Sequence, residues 1–173
     1  MQPLSVAPIQ APISLLEKTP ALLELLLRDV PAEILQWKPA TDRWSIAEVL
    51  AHMTVIEKLY EQRARRIVTE NAPLLPKYVA PPEGEANIRA ARGYLDEFVA
   101  LRRAFVVFLH TLPSAAAARA GKHVELREIT LSQMLHELAN HDLGHLRQIA
   151  ELYRAKAFHP HAGPFQKYSN PKP

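Results

Sequence analysis

The stretch HELANHDLGHLRQIAELY, His136–Tyr153, has the apolar spacing of a long amphipathic helix and carries three histidines. Successive residues of a helix are turned by about 100° around its axis. On that wheel one apolar stripe should face a core, and it is formed by Leu131, Met134, Leu138, Ile149 and Leu152. His145 lies within the stripe and His141 lies at its edge one turn earlier, whereas His136 points to solvent. The spacing therefore predicts that His141 and His145 can share one cation.

Prolines divide the rest of the chain into segments with helical periodicity. A leucine-rich segment covers about residues 12–29, and its Thr19-Pro20 pair either caps a helix start or kinks the helix. A second helix should begin at WSIAEVLAHM, where Ser45 and Glu48 have the spacing of a capping box, and run to about Thr69.

A third helix is predicted over about residues 85–110, and the fourth, around His136–Tyr153, should cover about 129–156 with Thr130 or a neighbour as its cap. KHVELREI, residues 122–129, is the one short segment that reads as extended. Four amphipathic helices predict an all-α, antiparallel four-helix bundle. We expect one domain over residues 1–173, with an arm at about 1–11 and a tail at 158–173 outside the bundle.

The composition of the chain limits the metal ligands, the compartment and the binding partners that can be expected. The chain has no cysteine, so metal ligands must be histidine or carboxylate, and a reducing cytoplasm is the expected compartment. No segment reads as a signal peptide or a membrane span. The formal charge of +3 is spread among acidic residues rather than gathered in a basic stripe, which argues against nucleic-acid binding.

The second helix supplies a third inward histidine. His52 lies at the centre of an apolar stripe formed by Val49, Val55, Ile56, Leu59 and Ile67. One such residue alone would be an ordinary hydrogen-bonded core histidine, but three are costly to bury without partners for their ring nitrogens. We therefore predict that His52, His141 and His145 bind one divalent metal ion. Three imidazoles leave a coordination position open, as in catalytic sites, and suit Zn²⁺, Ni²⁺, Fe²⁺ or Mn²⁺.

Two carboxylates could orient these imidazoles. Glu48 precedes His52 by one helical turn, and Glu137 precedes His141 by the same interval, so each could accept the far N–H of its neighbour. The alternatives are that Glu48 serves only as a cap and that Glu137 is solvated. HDLGH also resembles a metalloprotease helix, but Asp142 stands where the catalytic glutamate would be, and Asp has the shorter side chain.

The segments PAEILQWKPATDRWSIAEVLAHM and TLSQMLHELANHDLGHLRQIAELY together resemble the DinB/YfiT-like superfamily of metal-binding four-helix bundles over nearly the whole chain. The family pattern has a Trp-Ser start to the second helix, a histidine about two turns later, and H-x-x-x-H on the last helix. In this sequence these histidines fall on His52, His141 and His145. The resemblance thus implies the same three metal ligands that the helical wheel predicts.

The resemblance implies an activity only broadly. The superfamily includes metal-dependent hydrolases as well as transferases and isomerases that use low-molecular-weight thiols such as bacillithiol, mycothiol or glutathione. The expected partner is thus a small-molecule substrate. A homodimer is implied by the resemblance and by the apolar excess of the first helix. The alternative from another class is a non-catalytic bundle with a vestigial or structural histidine site.

Overall fold

Four long helices form the body of the protein in the computed structural model, which describes residues 8–75, 77–78 and 91–172. They are α1 (Gln10–Leu27), α3 (Ile46–Thr69), α4 (Ala91–His110) and α5 (Leu131–Ala157), with a short α2 (Ala32–Leu35) between the first two. Around the bundle α1 packs on α4, α4 on α3, α3 on α5 and α5 on α1. The predicted all-α four-helix bundle is confirmed, and α1 and α3, consecutive long helices of the chain, lie across its diagonal.

Capping boxes begin the two helices that carry the inward histidines. Ser45 accepts from the Glu48 amide at 3.2 Å, and the Glu48 carboxylate accepts from the Ser45 amide at 2.7 Å. Thr130 and Gln133 make the same pair of bonds at the start of α5. These bonds satisfy backbone donors that the first turn leaves free. Both predicted starts are confirmed to within two residues.

The N-terminal helix differs from its prediction. It begins at Gln10, and Ile9 is already buried, so residues 9–11 pack with the bundle although they were predicted to belong to an arm outside it. Residues 1–7 of that predicted arm lie outside the described residues. Pro20 lies inside α1 rather than at its start. A proline has no backbone N–H, so the carbonyl four residues earlier, on Leu16, loses its helical donor. That carbonyl becomes available to another part of the chain.

A small sheet supplements the helices. Its strands are β1 (Leu74–Leu75), β2 (Ala120–His123) and β3 (Arg127–Thr130), with β2 parallel to β1 and antiparallel to β3. The extended reading of residues 122–129 is thereby confirmed as a hairpin. A methyl group added at Gly121 would lie 2.7 Å from the Leu75 side chain, so the close approach of β1 requires glycine there.

Three further sequence predictions have mixed outcomes. The third helix ends at His110 as expected, but residues 85–90 of its predicted span lie outside the described residues. Val55 of α3 was predicted to face the core of the bundle and is instead exposed. The tail packs back on α5, because Glu151 accepts from the Lys172 amide at 3.1 Å. Across the described ranges, no helix has the length and hydropathy needed to cross a membrane.

One buried guanidinium connects all four long helices. Arg102 of α4 donates to both carboxylate oxygens of Glu57 on α3, at 2.8 and 2.7 Å. It also donates to both oxygens of Asp142 on α5, at 2.6 and 3.2 Å, and to the Leu16 carbonyl of α1 at 3.2 Å. Burial lowers the pKa of Arg102, but the bonds and charges of Glu57 and Asp142 outweigh burial and raise it. The guanidinium stays charged and uses all its N–H donors.

We expect Arg102→Met to destabilise the protein by about 3–5 kcal/mol, because it strands two buried carboxylates without their partner. Arg103→Met is the matched control on the same helix, since Arg103 is exposed and lies 3.6 Å from the carboxylate of Glu24. A surface pair of this kind contributes about 0–1 kcal/mol. Denaturant unfolding followed by circular dichroism measures both values, and equal stabilities of the two variants would contradict the role given to Arg102.

Candidate metal centre

Three histidines from two helices meet at one point of the bundle. The Nε2 atom of His141 on α5 lies 3.0 Å from that of His52 on α3 and 3.1 Å from that of His145 on α5. One ring nitrogen from each residue lies within 4.8 Å of the others, and all three side chains are half-buried. The structure thus brings together the three histidines singled out by the helical wheel, in a group that could hold a metal ion.

The ring nitrogens that face away from the cluster have different surroundings. His145 Nδ1 lies 2.9 Å from the amide oxygen of Gln148, and since that oxygen can only accept, Nδ1 carries the proton. His52 Nδ1 lies 3.5 Å from the hydroxyl of Tyr78. The buried Nδ1 of His141 has no hydrogen-bond partner among the described residues. The His145 tautomer leaves its Nε2 lone pair directed at the cluster, as a metal ligand requires.

The sequence did not identify Gln148 or Tyr78. Gln148 follows His145 by three residues on one helix, so the i, i+3 spacing could have found it. Tyr78 lies beyond the end of α3, where helical spacing gives no information.

The two predicted carboxylates lie elsewhere. Glu48 accepts from Ser45 and from Lys38 Nζ, the latter at 3.0 Å, which is the capping alternative that the sequence left open. Burial raises the pKa of Glu48, but these bonds outweigh burial and lower it. Glu137 is exposed, in keeping with its solvated alternative. Their role in orienting the imidazoles stays a prediction without a supporting contact.

His136 is exposed, as predicted, with Nδ1 2.8 Å from the Ser132 carbonyl.

Electrostatics keep the cluster neutral. Burial, together with the neighbouring histidines, lowers the pKa of His52 to about 4. Burial and the proximity of His145 likewise lower the pKa of His141 to about 4, although Asp142 opposes the shift. Burial also lowers the pKa of His145, although its hydrogen bond to Gln148 opposes the shift. At neutral pH the imidazoles are therefore uncharged, the form that binds a metal.

The geometry fits a single divalent cation. Zinc–imidazole bonds are about 2.0–2.1 Å long, so two tetrahedral ligand nitrogens lie about 3.4 Å apart. The His52–His141 and His141–His145 separations of 3.0 and 3.1 Å differ from that by a few tenths of an ångström, and all three ring nitrogens lie within 4.8 Å of one another, so small ring shifts would place them around one ion. A set of three imidazoles suits zinc and the other late first-row divalent metals, and leaves room for a further ligand.

Aromatic rings flank the cluster. The ring of Trp44, just before α3, lies nearly parallel to that of His145, with 6.4 Å between centroids and a 13° angle between planes. Its centroid is 5.0 Å from that of His52, and its side chain is 41% exposed. The Tyr78 ring approaches His52 edge-on at 5.7 Å. The histidines thus lie between an exposed indole and a phenol.

The model of one protein family matches residues 15–149, the part of the chain that contains all three histidines, and its description is DinB superfamily. The chain belongs to the DinB superfamily. Its sequence is 27% identical over 143 residues to the uncharacterized protein YuaE of Bacillus subtilis (strain 168), covering 73% of this chain and 87% of that protein.

A solved structure has the same fold as this DinB superfamily protein. YfiT from Bacillus subtilis superposes with a TM-score of 0.76 at 22% identity, over 84% of this chain and 86% of that one. It is described as a probable metal-dependent hydrolase with an unusual four-helix bundle topology. At this identity the likeness establishes the fold alone.

We expect His145→Ala to abolish metal binding and His136→Ala to preserve it, because only the first side chain points into the cluster. Both residues lie on α5, so the pair controls for loss of an imidazole from that helix. Elemental analysis of proteins purified without an affinity tag gives the metal content. Equal metal content in the two variants would show that the cluster is not the binding site.

We also expect the metal-free protein to lose stability as the pH falls. The pKa of His52 and of His141 is about 4 in the folded chain, below the unfolded value of about 6.5. Between these values the unfolded chain binds more protons, so the free energy of unfolding decreases as pH falls from about 6.5 towards about 4. Denaturant unfolding across this range, with chelator present, measures the slope.

His52→Asn should make that slope shallower by about one proton, because one titrating imidazole is lost. His136→Asn, which changes an exposed residue outside the cluster, should keep the wild-type slope. Identical slopes in all three proteins would contradict the burial of neutral imidazoles at this site.

Proposed function

We propose that this DinB superfamily protein is a metal-dependent enzyme of the hydrolase type, in which His52, His141 and His145 bind one divalent metal ion. The observation that carries the proposal is the convergence of three neutral imidazoles through their Nε2 atoms, at 3.0 and 3.1 Å. The description of the structurally similar YfiT as a probable metal-dependent hydrolase supports the same class of reaction. The substrate in this proposal is a small molecule.

A bound divalent cation supplies Lewis acidity, which polarises a carbonyl and makes water or a thiol more acidic near neutral pH. Residues around the cluster orient the histidines and partly cover them. Gln148 holds His145 in the tautomer that directs Nε2 at the cluster. Trp44 covers one side of the histidine rings while remaining partly exposed. Asp142, held by Arg102, fixes the turn of α5 between the two ligands.

A thiol-dependent transferase is the second candidate. The chain contains no cysteine, so a sulfur nucleophile would have to arrive with a cosubstrate such as bacillithiol, mycothiol or glutathione. The open coordination position expected of three imidazoles serves a thiol as well as water. The two candidates therefore share the metal centre and differ in the nucleophile.

The experiment uses chelator-treated protein reloaded separately with Zn²⁺, Ni²⁺, Fe²⁺ and Mn²⁺, and measures hydrolysis of a panel of esters and amides. We expect reloading to restore activity and His145→Ala to abolish it. Gln148→Leu should lower activity or metal affinity about 10–100-fold, because it removes the group that orients a ligand. His136→Ala is the control on the same helix.

Melting temperatures with each thiol separate the alternatives, since a ligand that binds only the native state raises the melting temperature. A metal-dependent rise with one thiol, without hydrolysis, would replace the hydrolase reading by the transferase reading. Metal binding with neither activity nor a thiol effect would favour the non-catalytic bundle.

Two finer parts of the proposal concern assembly and compartment. Leu22 and Leu25 of α1 are exposed, at 45% and 66%, and Leu143 of α5 is exposed as well. These apolar side chains support the homodimer predicted from the sequence. The absence of cysteine supports the predicted cytoplasmic location.

A further inference from the structure

A cavity of about 710 Å³ lies beside the histidine cluster. Tyr78 lines it and also approaches His52, and Ile56 of the wall follows His52 by one turn of α3. Other apolar side chains of the wall include Leu59, Ile129 and Met134. The volume falls within the range of about 300–1,000 Å³ typical of small-molecule sites. The cavity can therefore hold a largely apolar molecule next to the cluster.

The contacts within the cluster decide which ring nitrogen of each histidine carries the proton. His145 holds its proton on Nδ1, so its Nε2 atom can only accept. The buried Nδ1 atom of His141 has no hydrogen-bond partner among the described residues, and a proton there would be a buried donor without an acceptor. In the metal-free chain His141 therefore carries its proton on Nε2, and His145 Nε2 accepts it at 3.1 Å.

His52 must then hold its proton on the far side of its ring. Its Nε2 atom lies 3.0 Å from the protonated Nε2 atom of His141, and two N–H groups cannot face each other at that distance. His52 Nε2 thus accepts, and the proton of His52 lies on Nδ1. Metal binding through Nε2 requires the same tautomer of His52, because the ion takes the lone pair of that nitrogen. With or without a metal, His52 directs an N–H group at Tyr78.

The hydroxyl of Tyr78 lies next to this N–H group. Its oxygen is 3.5 Å from His52 Nδ1, at the outer limit of a hydrogen bond, and can accept there. The O–H of Tyr78 turns away from His52, because two donors that face each other repel. Among the described residues the hydroxyl has no other hydrogen-bond partner, so its proton is available to a molecule in the cavity that Tyr78 lines.

We propose that this cavity is a binding site for a neutral, largely apolar carbonyl compound, whose carbonyl oxygen accepts a hydrogen bond from the Tyr78 hydroxyl. The apolar wall takes the rest of the molecule. Glu128 and Glu137 line the cavity and are exposed, which disfavours an anion. Lys77 of the wall is paired with Glu125 at 3.0 Å. That the compound is the substrate rests on the proposed metal-dependent function, whereas its binding does not.

The test compares two probes of the same shape in chelator-treated, full-length protein. Acetophenone has a carbonyl oxygen, and α-methylstyrene has a methylene group in its place. Titrations followed by the carbon-13 methyl signals of methionine measure both affinities. Met134 lies in the cavity wall, whereas Met53 is buried in the core on the other side of α3's apolar packing. Both probes should shift the signal of Met134 and leave that of Met53 in place.

We expect Tyr78→Phe to weaken acetophenone binding by about 2- to 10-fold, because one neutral hydrogen bond is lost. The affinity for α-methylstyrene should be the same in Tyr78→Phe and wild type, which controls for a change in packing. Tyr153→Phe removes a hydroxyl from a tyrosine that packs on Phe158, and it should leave both affinities unchanged.

A second measurement concerns the tautomer. Nitrogen-15 spectra of the histidine rings in chelator-treated protein at neutral pH should show His52 as the Nδ1–H tautomer, and the His52→Asn spectrum identifies its signals. The proposal would be overturned by an Nε2–H tautomer of His52, by a Met134 signal that neither probe shifts, or by a Tyr78→Phe variant that keeps the wild-type preference between the probes. Because these measurements use metal-free protein, failure of the metal centre would leave their results unchanged.

Discussion

The guanidinium of Arg102 is the point on which the packing of this bundle depends. From α4 it donates five hydrogen bonds to acceptors on α3, α5 and α1, and the Arg102 side chain is only 1% exposed. Isolated charges are expensive to bury, so this arrangement persists only because each donor has an acceptor. Pro20 completes the set, since its missing N–H leaves the Leu16 carbonyl available to Arg102. The hydrogen bond that Pro20 removes from α1 thus supplies an acceptor for the buried guanidinium of α4.

The same network connects the packing to the site. Asp142 follows His141 directly in α5, and Glu57 lies five residues beyond His52 in α3, so a single guanidinium holds both helices that carry the histidine cluster. Rotation or sliding of either helix would break bonds that are fully removed from water, where an unpaired group costs about 1–3 kcal/mol or more. The imidazoles therefore meet on a rigid frame before any metal binds. Binding sites are most precise when they are built on rigid elements in this way, which is consistent with the proposed role of the three histidines.

Local patterns made part of this structure predictable. Helix starts followed from capping residues near Ser45 and Thr130, and the three inward histidines followed from helical periodicity, because both signals act within a few residues. Arg102 was not predictable, since a single charge on an amphipathic helix ordinarily reads as surface and its partners are 40 to 86 residues away. The contact of Tyr78 with His52 is likewise a product of tertiary packing.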